Sequence, residues 1–497
     1  MSNLAKKIVK GAGIVFAMTM LNTFFGFLVR IVLARNLTLA DFGFFYAVLS
    51  FLGLVGLLKN LGINSAIIKY IPEFLVKKDM EKVKTSILFS LAFSITTSVI
   101  VVSLLYYFSS DIATGYFKDP NVDTVFRIFL IFFVVQLLVS SINSVFNAFQ
   151  HPILLSYSGV FINLFFFLSI YFSDKLEIAR VAWYYNGVYI AVLVTNFVLL
   201  LNVFNIFKYR SSGFMPVAKK LIPFGAATTA STIISHTAVR VDTIFLTFFQ
   251  NLETVGIYSA LTPFRMVFKI AGSSISKILF PMTSELYGQG KTKELKNVLK
   301  MIHKYIVILL LPVAVVFLAY TEFIIETIFG AKFIEGADAA RLIILASILR
   351  PLDIINVGTI NGLGKPIKNT QIITISGIIN LLLNIILIPL WSYEGAALAI
   401  LINRIIVFTA TNIVIYRLIE YRFNFFLTMK AFLAGAVMYL FLVFVQAYFY
   451  DTNIWLTITQ YTAASILGIL FYFALCFHLR VATLDEIVRI YKLVLKK

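Results

Sequence analysis

The sequence has little cysteine, histidine or charge, and each shortage excludes a class of function. One cysteine, Cys476, occurs in 497 residues, so intramolecular disulfides and cysteine-based metal clusters are excluded. Four histidines without metal-ligand spacing argue against a metal site or a metal enzyme. Charged residues account for only 13% of the chain, whereas a soluble protein carries roughly 25%. The chain is therefore not a soluble globular domain.

Long apolar runs occupy most of the sequence. Hydrophobic residues make up 60% of the chain and its mean hydropathy is +0.94. The runs reach about 20 residues, which is the length a helix needs to cross a bilayer, and they lack the alternation of membrane β-barrel strands. Two of them, 367–390 and 395–418, are separated only by residues 391–394. The pattern predicts an all-α, polytopic integral membrane protein with about 14 transmembrane helices.

The net charge of +19 is better explained by membrane topology than by nucleic-acid binding. Lysine and arginine are concentrated in alternate short loops, whereas the intervening loops are acidic or neutral. The basic loops include 69–84, 208–220, 291–304 and 417–430. Because cytoplasmic loops carry the excess of basic residues, we predict a multi-pass protein of the cell membrane with both termini cytoplasmic. No loop is long enough for a folded soluble domain.

The first half of the sequence returns in the second half. Residues 26–51 resemble residues 239–264, so that Gly43 falls on Gly256 about 213 residues later. The turn NAFQHP after the fourth predicted span also has a counterpart, NGLGKP, after the tenth. Each copy contains six predicted spans, which is an even number, so both copies have the same orientation in the membrane.

This repeat predicts two pseudo-symmetric six-helix lobes. The N-terminal lobe comprises 1–208 and the C-terminal lobe 217–418, and two extra transmembrane helices and a basic cytoplasmic tail occupy 428–497. Parallel repeats of this kind are related by a pseudo-two-fold axis along the membrane normal. Their substrate site is expected near the midplane of the bilayer, between the lobes.

Basic residues lie inside the predicted spans, where each costs about 2.5–3.5 kcal/mol unless it is paired or hydrated. Arg30 and Arg240 occupy nearly equivalent positions in the two repeats, and Arg265 and Lys269 belong to a polar stripe that runs at helical spacing from Thr262 to Ser276. Such a stripe faces an aqueous cavity or a buried polar network. Because the planar arginine side chain donates paired hydrogen bonds to phosphate, we predict that Arg30, Arg240, Arg265 and Lys269 bind a substrate phosphate.

The other ionisable residues inside the spans are candidates for the cavity or for ion coupling. Arg350 and Asp353 stand three residues apart, so they can pair on one helix face, and a structural ion pair there competes with a functional site. Arg404 could join a cavity or a buried network. Asp242 or His236 could couple transport to H⁺ or Na⁺, although a lone histidine in a span is as often a structural group. No other cofactor and no catalytic residue are expected.

Three stretches resemble the multidrug/oligosaccharidyl-lipid/polysaccharide (MOP) exporter superfamily, and within it the polysaccharide transporter branch of O-antigen-type oligosaccharide flippases. They are GFLVRIVLARNLTLADFGFFYAVLSF at 26–51, NGLGKP at 361–366 and SGIINLLLNIILIPLWSYEGAALAI at 376–400. The resemblance implies a V-shaped, MATE-like fold in which spans 1, 2, 7 and 8 line a central cavity. It also implies a lipid-linked sugar that is flipped by alternating access.

The related lipid II flippases refine these expectations. They carry an arginine in span 1 and another in span 8, to which Arg30 and Arg265 correspond. The Arg-Asp dipeptide often seen in span 1 of that branch reads Arg30-Ile31 here, which argues against a peptidoglycan precursor as the substrate. The two helices beyond the repeat are similar to those said to form a lipid-tail groove in that branch.

We therefore expect a flippase, not an enzyme, for a sugar or oligosaccharide on a polyprenyl phosphate or pyrophosphate in envelope glycan assembly. Its expected partners are this lipid-linked sugar and membrane lipids, with glycosyltransferases or a polymerase of the same pathway as candidates, and no nucleic acid. The alternative is a multidrug/cation antiporter of the same superfamily, which should carry a carboxylate in span 1, where this chain has none. A membrane glycosyltransferase should have a larger outer loop, and a scaffold protein should tolerate loss of every intramembrane arginine.

Overall fold

The structure is a computed structural model. It describes the backbone of residues 3–59, 61–448 and 454–481, and the side chains of 13–56, 61–229, 241–448 and 454–481. Within these ranges the chain is all-helical, as predicted. The α-helices are α1 (Asn3–Asn36), α2 (Leu39–Lys59), α3 (Ile63–Val76), α4 (Met80–Tyr107), α5 (Ser109–Gly115), α6 (Asp123–Ala148), α7 (Pro152–Tyr171), α8 (Ile178–Val203), α9 (Phe214–Phe249), α10 (Leu252–Leu261), α11 (Phe264–Gly288), α12 (Thr292–Ala319), α13 (Thr321–Phe329), α14 (Ala337–Gly362), α15 (Pro366–Ile419), α16 (Phe425–Tyr448) and α17 (Ile454–His478).

In the described part of the chain, eleven helices are long and apolar enough to cross a membrane. One of them, α15, contains 54 residues but breaks at Trp391 and Ser392, where Ser392 has a φ of 52°. The break falls in the predicted gap between the eleventh and twelfth spans, so α15 contains both. The predicted eighth span corresponds to α10 and α11, whose apolar character is lowered by Arg265, Lys269 and Lys277. The exact number of 14 transmembrane helices stays a prediction.

Helix packing divides the chain into two compact units, Met1–Ala260 and Leu261–Lys497. The first unit contains α9 and α10, which the sequence repeat assigns to the second lobe. Packing and repeat therefore divide the chain at different places, because α9 lies against α2 and α3. The predicted lobes 1–208 and 217–418 and the C-terminal region 428–497 rest on the repeat alone and stay a prediction.

A short helix, α3, anchors the core at one end of the first unit. Its buried residues, from Ile63 and Ile67 to Ile71 and Phe74, recur at helical spacing along one face. They belong to an apolar cluster that also includes residues of α4, α6, α8 and the start of α9. This helix holds α9 against the first-repeat helices.

Polar bridges occur at repeat-related positions in the two units. In the first unit, Asn196 of α8 donates a hydrogen bond to the Asn143 side chain of α6 at 3.2 Å. In the second unit, Asn356 of α14 donates to the Thr411 hydroxyl of α15 at 3.0 Å. Both bridges join the fourth span of a repeat to its sixth span. Polar side chains of this kind hold transmembrane helices together in an apolar solvent.

Small residues bring α11 and α14 close together in the second unit. A Cβ atom added at Gly272 would lie 2.6 Å from Pro351 Cα, and Gly358 packs on Ser276. The Ser276 hydroxyl donates to the Ile354 carbonyl at 3.1 Å. Small residues permit such close approach of membrane helices. Gly272 and Ser276 of the polar stripe therefore form a helix–helix contact, which places α11 beside Arg350 and Asp353 of α14.

Candidate functional site

The second unit brings four ionisable residues of three helices together in an arginine cluster, which consists of Arg265, Arg350, Asp353 and Arg404. Asp353 of α14 is only 1% exposed, and its Oδ2 lies 3.5 Å from Nη1 of Arg404, which comes from the second half of α15. Arg350 interacts electrostatically with Arg404, Asp353 and Arg265. Sequence analysis assigned these residues to two separate groups, whereas the structure brings them together.

The arginine cluster consists of three basic residues and one acidic residue. Three guanidinium groups and one carboxylate give these four residues a formal charge of +2. The Oδ1 atom of Asp353 is buried and has no hydrogen-bond partner among the described residues. Charge interactions are strong in a medium of low dielectric constant, so this arrangement favours an anionic ligand with more than one charge.

The ion pair in the arginine cluster differs from the pairing that the sequence indicates. The spacing of Arg350 and Asp353 permits a pair on one helix face, but in the described part of the chain Asp353 pairs with Arg404 of another helix. Local spacing could not show this pair, since it depends on how α15 packs on α14. Lys269, one turn from Arg265, is exposed and forms no ion pair in the described ranges.

In the first unit, Arg30 of α1 is engaged by two neighbouring helices. Its guanidinium carbon lies 4.2 Å from the centre of the Tyr46 ring of α2, which is a cation–π contact. Its Nη1 donates a hydrogen bond to the Ser259 carbonyl of α10. A ligand phosphate at Arg30 would therefore replace contacts that the protein itself supplies in this conformation. Sequence analysis missed Tyr46 and Ser259, since no motif indicates them.

Asp242 of α9 is buried in a small polar network of the first unit. The Tyr258 hydroxyl of α10 donates to Asp242 Oδ2, and the Thr243 backbone N–H donates to Oδ1 at 3.0 Å. Its predicted role in ion coupling remains a prediction. The side chains of Arg240 and His236 lie outside the described residues. No group of three or more potential metal ligands is found in the described ranges.

Repeat-related glycines hold the start of α2 against α10. A Cβ atom at Gly43 would overlap the Leu252 carbonyl oxygen, and a Cβ atom at Gly256 would overlap the Leu39 carbonyl oxygen. Gly43 and Gly256 are equivalent positions of the repeat, and so are Leu39 and Leu252, because each pair is 213 residues apart. The contact is therefore reciprocal, and we name these four residues the α2–α10 glycine contact.

A second contact of this kind occurs beyond the other end of α2. Gly62, with a φ of 66°, packs against the Gly225 carbonyl of α9, and a Cβ atom at Gly225 would lie 2.5 Å from the Leu61 carbonyl oxygen. Gly43 and the end of α2 at Lys59 are roughly 24 Å apart along the helix axis. First-repeat and second-repeat elements thus meet at both ends of α2, where only glycine permits the approach.

Comparison with known proteins identifies the family and the fold. The sequence profile of the polysaccharide biosynthesis protein family matches residues 32–338. An uncharacterized membrane protein of Methanocaldococcus jannaschii is 25% identical over 417 residues, which cover 80% of this chain and 82% of that protein. A probable low-salt glycan biosynthesis flippase of Haloferax volcanii, Agl15, is 21% identical over 37% of this chain and 39% of its own length.

Solved structures confirm the fold class. The lipid II flippase MurJ in its inward closed conformation superposes with a TM-score of 0.72 at 15% identity, covering 94% of this chain and 99% of that one. An inward-facing multidrug resistance MATE family transporter of the MOP superfamily gives a TM-score of 0.65 at 12% identity, covering 82% and 99%. The predicted MOP-type fold is thus confirmed. Because the family match spans more than half of the chain, this multi-pass membrane protein belongs to the polysaccharide biosynthesis protein family.

Proposed function

We propose that the protein is a flippase that moves a sugar or oligosaccharide on a polyprenyl phosphate or pyrophosphate across the cell membrane. The family supplies the polysaccharide context, and a relative is described as a probable glycan biosynthesis flippase. The single observation that carries the proposal is the arginine cluster, because its formal charge of +2 suits a phosphate or pyrophosphate. Arginine binds such groups through paired, charge-assisted hydrogen bonds.

The proposal assigns different tasks to the two units. Arg265, Arg350 and Arg404 bind the phosphate in the second unit, while Asp353 keeps Arg404 in position until the substrate arrives. Arg30 of the first unit is a further candidate phosphate ligand by sequence position, and it would have to leave the Ser259 carbonyl to bind one. Arg240 and Lys269 are further candidate ligands by sequence position. The sugar crosses within the protein, and the prenyl chain stays among the membrane lipids.

The two glycine contacts support alternating access as the transport mechanism. They lie at opposite ends of α2 and join first-repeat to second-repeat elements. With both termini in the cytoplasm, the α2–α10 glycine contact is extracytoplasmic and the contact of Gly62 with Gly225 is cytoplasmic. Opening one contact while the other stays closed would expose the cations to each side in turn. The driving ion, H⁺ or Na⁺, would act through Asp242 or Asp353.

A cation antiporter is the competing function, since the fold is shared with a MATE transporter. The buried carboxylate of Asp353, with its unpartnered Oδ1 atom, favours this alternative. The arginines around it oppose it, because they repel a cationic substrate. Glycosyltransferases or a polymerase of the same pathway would supply or consume the lipid-linked sugar in the flippase proposal.

Flipping by purified protein in liposomes tests the proposal. A fluorescent prenyl-pyrophosphate sugar is incorporated, and an impermeant quencher reports the fraction of label in the outer leaflet. We expect the Arg265→Ala variant to flip at least about tenfold more slowly than the natural protein, because a hydrogen bond to a charged group contributes about 1.5–3 kcal/mol.

The matched control is Arg341→Ala, which removes the same charge from a surface ion pair of α14 with Glu322 and Asp338. Its flipping rate should stay within about twofold of the natural protein, because exposed ion pairs contribute little. Equal rates for Arg265→Ala and the natural protein would contradict the phosphate assignment. Proton- or Na⁺-driven transport of an organic cation, lost in Asp353→Asn and without any flipping, would establish the antiporter instead.

A further inference from the structure

A small cavity near the start of α16 collects positive charge in the second unit. Lys300, His303 and Lys304 of α12 line it together with Tyr421 and Asn424. His303 Nδ1 lies 2.8 Å from the Tyr421 hydroxyl, which fixes the histidine ring. The Asn424 side chain accepts a hydrogen bond from the Leu427 backbone N–H at 3.0 Å and so caps α16. The positive end of the α16 dipole and two lysines therefore meet here.

An apolar cavity of about 280 Å³ lies next to this polar cavity. The two share Phe423 and Thr428 in their walls. The floor is buried and consists of Val307, Ile348, Leu352 and Phe408. The rim is formed by Phe425, Met429 and Phe432, which recur along one face of α16 and are exposed. The cavity is nearly twice the volume of about 150 Å³ that accepts benzene in an apolar interior.

We propose that these two cavities form a binding site for an anionic membrane phospholipid. Its phosphate would lie at Lys300, Lys304 and the start of α16, and one hydrocarbon chain would enter the apolar cavity past Met429. A small soluble anion would leave the apolar cavity unused, and a zwitterionic lipid would gain less from the two lysines. Basic pockets between transmembrane helices are typical sites for anionic lipid head groups.

The site is separate from the arginine cluster and from the C-terminal helix pair. None of Arg265, Arg350, Asp353 and Arg404 lines either cavity, and α17 contributes no lining residue in the described ranges. The nearby carboxylate of Glu420 does not line the polar cavity, and it pairs with Lys296 at 3.6 Å. The predicted topology places this end of α12 and α16 at the cytoplasmic leaflet, where anionic lipids attract basic residues.

Lipid binding to the purified full-length protein tests the inference. Native mass spectrometry and thermal unfolding are recorded with phosphatidylglycerol and with phosphatidylcholine of the same chains. We expect one phosphatidylglycerol molecule to bind and to raise the unfolding temperature, and phosphatidylcholine to bind more weakly. The Lys300→Gln/Lys304→Gln variant should bind phosphatidylglycerol about thirtyfold more weakly, since each lysine near a lipid surface contributes about 1 kcal/mol.

Matched variants separate charge from cavity filling. Lys291→Gln/Lys293→Gln removes the same charge from exposed positions at the same end of α12, and its affinity should not change. Met429→Trp fills the apolar cavity without a change of charge and should also weaken binding, whereas Leu433→Trp, outside the lining, should not.

Several results would overturn the lipid site. They are equal binding of both lipids, equal losses in the two lysine variants, and displacement of phosphatidylglycerol by a polyprenyl phosphate that binds more tightly. The last result would assign the cavities to the lipid-linked substrate instead. Because these experiments measure lipid binding and not flipping, a failure of the proposed function would leave their outcome unaffected.

Discussion

Replacement of Gly43 by alanine should slow transport strongly while the protein stays folded. The new Cβ atom would overlap the Leu252 carbonyl oxygen, and this backbone atom cannot move without shifting α10. Overpacking of this kind costs about 1–3 kcal/mol, and the cost falls only on the state in which the α2–α10 glycine contact is closed. The equilibrium between closed and open states should therefore shift by roughly 5- to 150-fold toward the open state.

Two measurements report this shift. Flipping is followed in liposomes, where we expect a loss of about tenfold because the closed state, which the transport cycle needs, becomes less populated. The accessibility of position 259 of α10 to water is followed with the Ser259→Cys variant in a Cys476→Ser background. The new cysteine is labelled with an impermeant maleimide. Ser259 is buried beside Gly256 and its carbonyl binds Arg30. Labelling should rise when Gly43→Ala is added.

Gly56→Ala is the matched control, since Gly56 lies on the same helix. A Cβ atom there would meet only Phe133 Cε2 at 3.6 Å, which is an ordinary van der Waals distance. This variant should flip and label like the natural protein. If Gly43→Ala did the same, the close approach of α2 and α10 would have no role in transport. Gly256→Ala should reproduce the Gly43→Ala result, because the contact is reciprocal.

The glycine contact illustrates what a sequence repeat can and cannot predict. The repeat alignment brings Gly43 into register with Gly256, and this equivalence is a property of the sequence alone. That equivalent residues also touch depends on how α2 packs against α10. This packing involves complete helices, and no local pattern in the sequence contains it.

The helical fold could be predicted where it depends on bilayer thickness. The break in α15 at Trp391 and Ser392 falls between two predicted spans, because each half needs about 20 apolar residues to cross hydrocarbon. Helix α3 was not predicted, since it is too short to span a bilayer. Its apolar residues at 63, 67, 71 and 74 have helical spacing, and this signal could have revealed an amphipathic helix.

The types of residue in the candidate site could be predicted from the sequence, but the pairs that these residues form could not. Arg265, Arg350 and Arg404 were recognisable because charge inside an apolar span is costly. Their assembly around Asp353 joins three helices that are distant in sequence, and side-chain spacing within one helix cannot indicate it. The engagement of Arg30 by Tyr46 and Ser259 has the same origin, because both partners come from other helices.

The pair of Arg404 with Asp353 should dominate the stability of the second unit. Arg404→Met would leave the Asp353 carboxylate, which is 1% exposed, without its ion-pair partner. Removal of one partner of a buried pair costs about 3–5 kcal/mol, and we expect about 3 kcal/mol because Arg350 remains within electrostatic range. Thermal unfolding of the purified protein in one lipid mixture measures the loss.

The double variant Arg404→Met/Asp353→Leu should regain part of this stability, since it removes both charges of the pair, while Arg350 loses the nearby Asp353 carboxylate. Its flipping should nevertheless stay at least about tenfold below that of the natural protein, because two guanidiniums remain to bind phosphate instead of three. This combination of partly regained stability and lost transport would separate the structural role of the pair from its role in substrate binding.

A solvated pair provides the control. Arg127 and Asp123 of α6 form an ion pair at 2.9 Å with side-chain exposures of 37% and 24%, so Arg127→Met should cost below about 1 kcal/mol despite the shorter distance. The effect of Arg404→Met thus depends on the burial of Asp353, which is 1% exposed, and not on ion-pair geometry. If the double variant were as unstable as Arg404→Met alone, Asp353 and Arg404 would not be coupled. If it flipped at the natural rate, the phosphate would bind outside the arginine cluster.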